Sequence, residues 1–498
     1  MTAARGESRE RSDTPRATWW LLAGCGLLYA AALNPHFLPG AYDNIVYHFG
    51  ADTIWKYGTY RFQDEYIVDW PPVFSLLLVL PRIFGIDSVV AGKAIVALTA
   101  LAATALAAKL LAAEKRPAPL FACFVFALAP TSFLTATREM SDWPCAAFVM
   151  LCLALLQRLS TQRSVGLALL VGCAMGAAAL TRYAAVLLGV AVVAQALRRL
   201  RSWREGRATL LECVGLEALT AGSGAALFST WLLRLASLPA EQLGKSNYGH
   251  ARLLDLSPWP FIDGVTNATT YLPPVAQGVG LTDSWGIAVG VVLLALAGLG
   301  IAGRIRNGTW NPTDWYVAAS AALFYFYHLK AARHVLPMVP FLIGYFVEGV
   351  ELSARGLRRF DARRVRAVVQ GVLVLWATAL LAFDLHLLFR GNTRTHGALL
   401  FFSSPTAERF YLGEWADLHS ASTMIRGSGL EGDVGLVGTG DFKYVRAWSG
   451  HVSKPYEPSD HPAFLLVAEP EPLPEGVGGR AKLLGRAGKL AVYHVEKP

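Results

Sequence analysis

The residue best placed for chemistry is a carboxylate in a short polar segment after the first apolar run. Asp43 follows Pro39-Gly40 and precedes a stretch, Asn44 to Tyr60, whose apolar residues have near-helical spacing. Asp43 therefore lies at the predicted start of an amphipathic helix just outside the lipid, where a membrane enzyme would keep a general base. The alternative is that Asp43 only caps that helix. The two roles are compatible, because a capped carboxylate is also well positioned.

Several cations occupy very short turns between apolar runs. They are Arg138 beside Glu139, Arg182, Lys330, and Arg333 beside His334. In the predicted topology these turns face outward, against the positive-inside rule, so the cations need another explanation. One explanation is that they bind the phosphate of a lipid-linked substrate, and the other is ordinary interfacial anchoring by snorkelling side chains. Asp142, just before Trp143-Pro144, is predicted to cap the following span.

The elements that must position these residues are membrane helices. The chain has 498 residues, of which 54% are hydrophobic and 16% charged, and its mean hydropathy is +0.39. This composition predicts a polytopic helical membrane protein, because lipid offers no partner for unpaired backbone groups. We predict about eleven spans, at 17–34, 88–113, 117–134, 141–158, 164–181, 183–197, 211–236, 285–304, 314–329, 333–352 and 367–390. Gly172 and Gly176 are predicted to let two helices approach closely.

The basic loops set the predicted orientation. The segment Pro71 to Phe84 is too short to cross easily, and we predict that it lies in the outer interface. With that segment left out of the count, the richest basic loops share one side, which the positive-inside rule makes cytoplasmic. They include Glu114-Lys115-Arg116 and Arg304-Ile305-Arg306. The net charge of +9 follows from these loops, so it suggests contact with anionic membrane lipids and with no nucleic acid.

Composition also divides the chain into domains. We predict a cytoplasmic tail at 1–16, a transmembrane domain at 17–390 with an external loop at 35–87, and a soluble extracytoplasmic domain at 391–498. The soluble domain is predicted to hold a helix at Ala407 to Arg426 and strands at Val434 to Val437, Phe464 to Val467 and Leu490 to Val495. The predicted fold class is an all-α polytopic membrane protein with a small C-terminal α/β domain.

Motifs for nucleotide or metal chemistry are missing from the sequence. It has no G-x-x-x-x-G-K, no G-x-G-x-x-G opening a helix and no D-x-D. The eleven histidines form no ligand-spaced cluster with Cys or carboxylates. We therefore predict no cofactor, no metal and no nucleotide-dependent cytosolic mechanism.

Five short elements follow one another in a characteristic order. They are Tyr42-Asp43-Asn44-Ile45-Val46-Tyr47, Asp69-Trp70-Pro71-Pro72-Val73-Phe74, Leu80 to Gly85, Leu180-Thr181-Arg182-Tyr183, and Arg333-His334-Val335-Leu336-Pro337-Met338-Val339-Pro340. In order and sidedness they resemble elements of the GT-C type integral-membrane glycosyltransferases, especially the protein-mannosyltransferase and aminoarabinose-transferase-like branch that uses polyprenyl-phosphate sugars. The first element looks like that family's Tyr-Asp-Glu-x-x-Tyr, with Asn44 where the family usually has a second acid. The resemblance covers most of the chain.

The resemblance implies an inverting glycosyltransferase with an extracytoplasmic site, in a membrane expected to be a bacterial inner membrane. The predicted site residues are Asp43 as the base, Arg333, Lys330, Arg182 and Arg138 as donor-phosphate ligands, and Tyr47, Glu139 and His334 as substrate contacts. The base would take the proton of an acceptor hydroxyl on a glycan, lipid or protein, while the cations stabilise the departing polyprenyl phosphate. A phosphate is already a good leaving group, so a second, acidic carboxyl group is not needed, in contrast to a glycosidase.

Two alternatives remain open at the level of sequence. A polytopic transporter or lipid flippase would have a similar number of spans, but transporters usually keep their charged sites near the midplane and show internal repeats. A glycan ligase using diphosphate-linked donors would place its residues similarly. A carboxylate-dependent loss of sugar from a monophosphate donor would separate these classes.

Overall fold

The structure is a computed structural model that describes residues 4–33, 43–62, 65–86, 89–206, 209–239, 283–326, 332–356, 362–394, 414–438, 445, 449, 453–457, 462–468, 471–475 and 477–496. The chain divides into two compact units. The membrane unit comprises Met1–Leu33 and Tyr66–His386, and the second unit comprises Asn34–Glu65 and Leu387–Pro498. The predicted external loop is thus divided, since its residues up to Glu65 group with the C-terminal residues. Lys330 and most of the residues between the predicted spans 211–236 and 285–304 lie outside the described residues.

Among the described residues before the C-terminal part, the regular structure is helical apart from one small sheet. The helices are α1 Ala4–Ala32, α2 Asp43–Tyr57, α3 Val73–Ile83, α4 Val89–Ala113, α5 Pro119–Leu128, α6 Pro130–Ala136, α7 Asp142–Thr161, α8 Val165–Ala179, α9 Leu188–Arg204, α10 Leu210–Ala236, α11 Asp283–Arg306, α12 Pro312–Phe326, α13 Val339–Gly356 and α14 Ala362–Arg394. Two 3-10 helices, Tyr183–Leu187 and Ala332–Met338, lead directly into α9 and α13. Arg61–Phe62 (β1) and Glu65–Tyr66 (β2) form a two-stranded sheet.

Among the described residues, five helices are long and apolar enough to cross a membrane. They are Val89–Ala113, Asp142–Thr161, Tyr183–Arg201, Leu210–Ala236 and Val335–Ala354. The protein is therefore a multi-pass integral membrane protein. The predicted apolar runs are mainly helical in their described residues, whereas the count of about eleven spans and their orientation stay predictions.

The run predicted as one span at 117–134 is two helices, α5 and α6. The break is at Ala129, whose φ of −59° and ψ of 142° are extended. Pro130 explains it, because a proline disfavours the helical conformation of the residue before it and donates no backbone hydrogen bond. The segment after the break then ends within seven residues, which brings the chain early to the turn that carries Arg138 and Glu139.

Glycines allow close packing between α8 and α10, as the sequence predicted. A Cβ atom on Gly172 would lie 2.6 Å from the carbonyl oxygen of Thr220, and one on Gly176 would lie 2.9 Å from the Cβ of Leu227. Neither position has room for a side chain. Small residues at such crossings are the usual means by which membrane helices gain contact area.

A buried ionic network, here called the Asp314 cluster, joins helices beyond the C-terminal end of α4. Its members are Glu114, Arg116, Arg304, Asp314, Tyr345 and Glu348. Asp314 Oδ1 accepts hydrogen bonds from the Arg116 guanidinium and, at 2.6 Å, from the Tyr345 hydroxyl. Its Oδ2 accepts from Arg304 Nε at 3.2 Å and Nη2 at 3.0 Å. Arg116 and Arg304, predicted as loop cations, are in fact buried and paired.

The C-terminal residues contain a helix and a mixed sheet. Helix α15, Glu414–Gly427, accompanies strands β3 Val434–Val437, β4 Ser453–Pro455, β5 Phe464–Ala468, β6 Ala481–Ala487 and β7 Leu490–Val495, in the order β4-β3-β5-β7-β6. Strand β3 pairs in parallel with β4 and β5, while β7 is antiparallel to β5 and β6. The predicted strands β3, β5 and β7 and the small α/β fold are confirmed. The sequence missed the edge strands β4 and β6, because an edge strand needs no buried apolar run.

Candidate functional site

Asp43, the predicted base, is the first residue of α2 in the second unit. A carboxylate in the first turn of a helix is stabilised by the unpaired backbone N–H groups there. Tyr47 follows four residues later and therefore lies on the same face of α2, where it is buried. Asn44 is buried too, and its Oδ1 accepts a hydrogen bond of 2.9 Å from the backbone N–H of Ile45.

In the membrane unit, the turn between α6 and α7 carries three charged residues. Arg138, Glu139 and Asp142 are separated only by Met140 and Ser141. The prediction that Asp142 caps α7 is wrong, because the residue before the helix is Ser141 and Asp142 is the first helical residue. Pro144, two positions further on, falls in the first turn, where no backbone N–H is needed for the helix.

The Asp142 carboxylate instead binds Arg182, a predicted phosphate ligand. Arg182 Nη1 lies 2.5 Å from Asp142 Oδ1, and the side chains are 21% and 1% exposed respectively. Arg182 stands in extended conformation between α8 and the 3-10 helix Tyr183–Leu187. Asp142 Oδ2 is buried and accepts no hydrogen bond within the described part of the chain. The ion pair thus holds Arg182 in place while its side chain stays partly exposed, since Asp142 is the more deeply buried partner.

Lys93, in the second turn of α4, is a residue that sequence reasoning missed. It is 1% exposed and interacts electrostatically with Glu139, which is also 1% exposed, and with Arg138. The Glu139 side chain lies against Gly92, so that a Cβ there would be 2.9 Å from Glu139 Cδ. The available signal was a lysine near the start of the apolar run 88–113, since charges inside membrane segments are costly and usually paired or functional. Lys93, Arg138, Glu139, Asp142 and Arg182 are here called the Lys93 cluster.

Arg333 and His334 belong to the 3-10 helix Ala332–Met338. Only their backbone is described, and Lys330 lies outside the described residues. This 3-10 helix packs against α6 and α7, the two helices that flank the Arg138 to Asp142 turn. The backbone of Arg333 is therefore carried on an element that packs against the two helices flanking the Arg138 to Asp142 turn, whereas its role as a phosphate ligand stays a prediction.

Ile67 and Val68, which follow β2, are hydrogen-bonded to side chains of the membrane unit. The Tyr183 hydroxyl donates to the carbonyl oxygen of Val68 at 3.2 Å and accepts from Trp231 Nε1 at 2.8 Å. Arg234 Nη1 donates to the carbonyl oxygen of Ile67 at 3.0 Å and its guanidinium lies 4.7 Å from the Trp231 ring centroid. Asp69, which follows Val68, is buried near Tyr183.

The Lys93 cluster suits an anion. Its three cations outnumber its two carboxylates, and Arg and Lys are the usual ligands of phosphate. The low dielectric of a helix-lined site strengthens such an interaction. No group of three or more His, Cys, Asp or Glu side chains able to hold a metal ion occurs among the described residues.

No protein-family model matches this sequence, and none of the curated proteins is similar to it. Solved structures are similar in fold. The crystal structure of ArnT from Cupriavidus metallidurans bound to undecaprenyl phosphate has a TM-score of 0.58 and 16% identity, covering 95% of this chain and 97% of that one. The apo state of the same ArnT gives 0.59 and 16%, with 96% and 98% covered.

A more distant neighbour is the archaeal oligosaccharyltransferase AglB from Archaeoglobus fulgidus, in complex with an inhibitory peptide and a dolichol-phosphate. Its TM-score is 0.46 and its identity 12%, with 88% of this chain and 64% of that chain covered. ArnT and AglB are both GT-C glycosyltransferases. The ArnT likeness, which extends over nearly all of both chains, confirms at the level of fold the resemblance predicted from the five sequence elements. The chain has the GT-C fold of ArnT.

Proposed function

We propose that this protein is a glycosyltransferase that moves a sugar from a polyprenyl-phosphate-linked donor to an acceptor hydroxyl on the extracytoplasmic face of the membrane. The observation that carries the proposal is the ArnT fold over 95% of the chain, in a relative crystallised with undecaprenyl phosphate. A fold can host unrelated functions. The proposal therefore also needs suitable chemistry among this chain's own residues, and two groups of residues support it.

The first place is the Lys93 cluster, which supplies cations for the donor phosphate. Arg182 is held by Asp142 with its head partly exposed, and Arg138 lies four residues before Asp142 in the same turn. Arg333 and Lys330 are proposed as further ligands, on and next to the 3-10 helix that packs on α6 and α7. These cations would stabilise negative charge that grows on the phosphate as the sugar leaves.

The second place is the start of α2, where Asp43 is the proposed base. Asp43 takes the proton of the acceptor hydroxyl, and the acceptor oxygen forms a bond to the anomeric carbon. The bond from that carbon to the phosphate oxygen breaks, and its electron pair leaves with the polyprenyl phosphate. One displacement of this kind inverts the anomeric carbon. Tyr47 and His334 are proposed to contact the substrate.

The remaining assignments follow from the same proposal. The acceptor is a glycan, a lipid or a protein, and the surrounding membrane is the bacterial inner membrane. The C-terminal residues then lie on the extracytoplasmic side, together with the base. A lipid-borne sugar reaches that side already activated, which agrees with a sequence that contains no nucleotide-binding motif.

The test is release of polyprenyl phosphate by protein in lipid nanodiscs, with a panel of polyprenyl-phosphate sugars and a membrane extract as acceptor. Asp43→Asn is expected to lower the release rate roughly 10²- to 10⁴-fold, the usual contribution of a general base. The matched control is Asp52→Asn in the same helix, whose carboxylate lies 3.1 Å from Lys56 Nζ in an i, i+4 pair. This control is expected to keep the wild-type rate.

Two outcomes would contradict the proposal. Equal release by wild type and Asp43→Asn would leave Asp43 a residue that only stabilises the start of α2. A wild-type protein that releases no polyprenyl phosphate from any donor, yet moves labelled lipid across liposome membranes, would be a transporter instead.

A further inference from the structure

Two oppositely charged side chains are completely buried where α4 meets the turn before α7. Lys93 and Glu139 are each 1% exposed. A buried charge is tolerated when an opposite charge compensates it, and removing one partner of such a pair leaves the other uncompensated. Neither side chain is accessible enough to be a direct ligand of a substrate, so their shared role is to be found in what they do to their neighbours.

Gly92 provides the space that brings the two charges together. The Glu139 carboxyl group lies over the α-carbon of Gly92, with Cδ 2.9 Å and Cγ 3.1 Å from the position that a Cβ would take. Lys93 is the next residue along α4, and its ammonium group is attracted by this carboxylate. The same lysine is repelled by Arg138, the residue immediately before Glu139.

Glu139 is therefore a potential competitor for Arg138. A carboxylate next to a cation that must bind phosphate would pair with that cation and weaken its hold on the phosphate. We propose that Lys93 is a positioning residue whose charge holds Glu139 against Gly92 and prevents that carboxylate from competing with the donor phosphate for Arg138. Glu139 then has a positioning role in place of the substrate contact predicted from sequence. The roles of Lys93 and Glu139 both rest on the proposed function.

The test compares four proteins in the polyprenyl phosphate release assay: wild type, Lys93→Met, the double variant Lys93→Met/Glu139→Gln, and the control Lys109→Met. Lys109 is an exposed lysine in the same helix. Lys93→Met is expected to raise the donor KM about tenfold, the effect of weakening one charge-assisted hydrogen bond, with kcat changed much less. The double variant is expected to return KM to near the wild-type value, because the competing charge is gone.

Restoration of the donor KM in the double variant is the decisive readout. A purely structural pair would change the unfolding midpoint and leave the donor KM unchanged in every folded variant. A wild-type KM in Lys93→Met overturns the proposal. So does a raised KM in a folded double variant, which would mean that Lys93 acts on the donor itself. If Lys93→Met does not fold, a double variant that folds and has the wild-type KM gives the expected result by the same logic.

Failure of the proposed function gives a different pattern. In that case the wild type releases no polyprenyl phosphate, and the four proteins are compared by their unfolding midpoints. A midpoint lowered in Lys93→Met and restored in the double variant then supports the Lys93 and Glu139 pair while its link to phosphate falls. A double variant no more stable than the single variant overturns the pair as well.

Discussion

Two of the buried charge clusters of the membrane unit have opposite designs. Helix α4 connects them, with Lys93 in its second turn and Arg116 just past its C-terminal end, roughly 30 Å apart at 1.5 Å per helical residue. In the Asp314 cluster the central carboxylate is saturated, because both oxygens accept two or more hydrogen bonds and the backbone N–H of Asn311 adds one of 2.7 Å. In the Lys93 cluster, Asp142 uses one oxygen for Arg182 and its other oxygen accepts no hydrogen bond among the described residues.

The balance of charge differs in the same sense. The Asp314 cluster has two arginines and three carboxylates, whereas the Lys93 cluster has three cations and two carboxylates. Burial alone would lower the pKa of Arg116, but Glu114, Tyr345, Asp314 and Glu348 outweigh it and raise that pKa above its ordinary value. Because its charge is already neutralised by these neighbours, Arg116 is a poor site for an additional anion. On the proposed function, the Asp314 cluster fastens helices together and the Lys93 cluster keeps positive charge for the donor phosphate.

Breaking the Asp314 cluster is expected to have the largest effect, and on stability. Asp314→Asn leaves Arg116 and Arg304 buried without their shared carboxylate, so the free energy of unfolding should fall by about 3–5 kcal/mol. Unfolding in mixed detergent micelles measures it. The control is Glu205→Gln, which breaks an exposed pair with Arg201 at 3.8 Å and should change stability far less. An Asp314→Asn protein as stable as this control would show that the network is not a fastening.

Removing Arg182 is expected to have the next largest effect, and on activity. Arg182→Gln should lower the rate of polyprenyl phosphate release roughly 10²- to 10³-fold, the usual cost of losing one group that stabilises developing charge. The exposed Arg201 provides the matched control, Arg201→Gln, which should keep the wild-type rate.

The double variant Arg182→Gln/Asp142→Asn distinguishes a role of Arg182 in binding the donor phosphate from a role only in neutralising Asp142. It removes the buried carboxylate left without its cation, so the unfolding midpoint should return toward the wild-type value while the rate stays low. A rate that recovers together with the midpoint would mean that Arg182 serves only to neutralise Asp142, and the two clusters would then have the same purpose.

The smallest expected effect is stabilisation by undecaprenyl phosphate, the kind of lipid that the proposed reaction would release. Undecaprenyl phosphate at one hundred times its Kd should raise the free energy of unfolding of the wild type by about 2.7 kcal/mol. A sufficiently folded Asp314→Asn protein should keep that increment, while Arg182→Gln and Arg138→Gln should lose most of it. Loss of the increment in Asp314→Asn together with its retention in Arg182→Gln would reverse the functions assigned to the two clusters.

The sequence predicted much of the fold because the relevant signals are local. An apolar run in lipid must be helical to satisfy its own backbone, so the predicted runs are mainly helical in their described residues, although the run at 117–134 breaks into two helices at Ala129. Three strands of the C-terminal sheet were predicted from their apolar residues, and they are its buried inner strands β3, β5 and β7. The edge strands β4 and β6 gave no such signal, since they form only by pairing with the inner strands β3 and β7.

Of the candidate site, the sequence by itself determined which residue types could act: a carboxylate at the start of a helix, cations in short turns and a GT-C-like order of motifs. Only the tertiary structure decided their partners. Asp142 binds Arg182, forty residues away, and Lys93 in α4 compensates Glu139 in the turn before α7. The physical reason is that a buried charge must be compensated, and helix packing, which no local pattern encodes, selects the charge that does so.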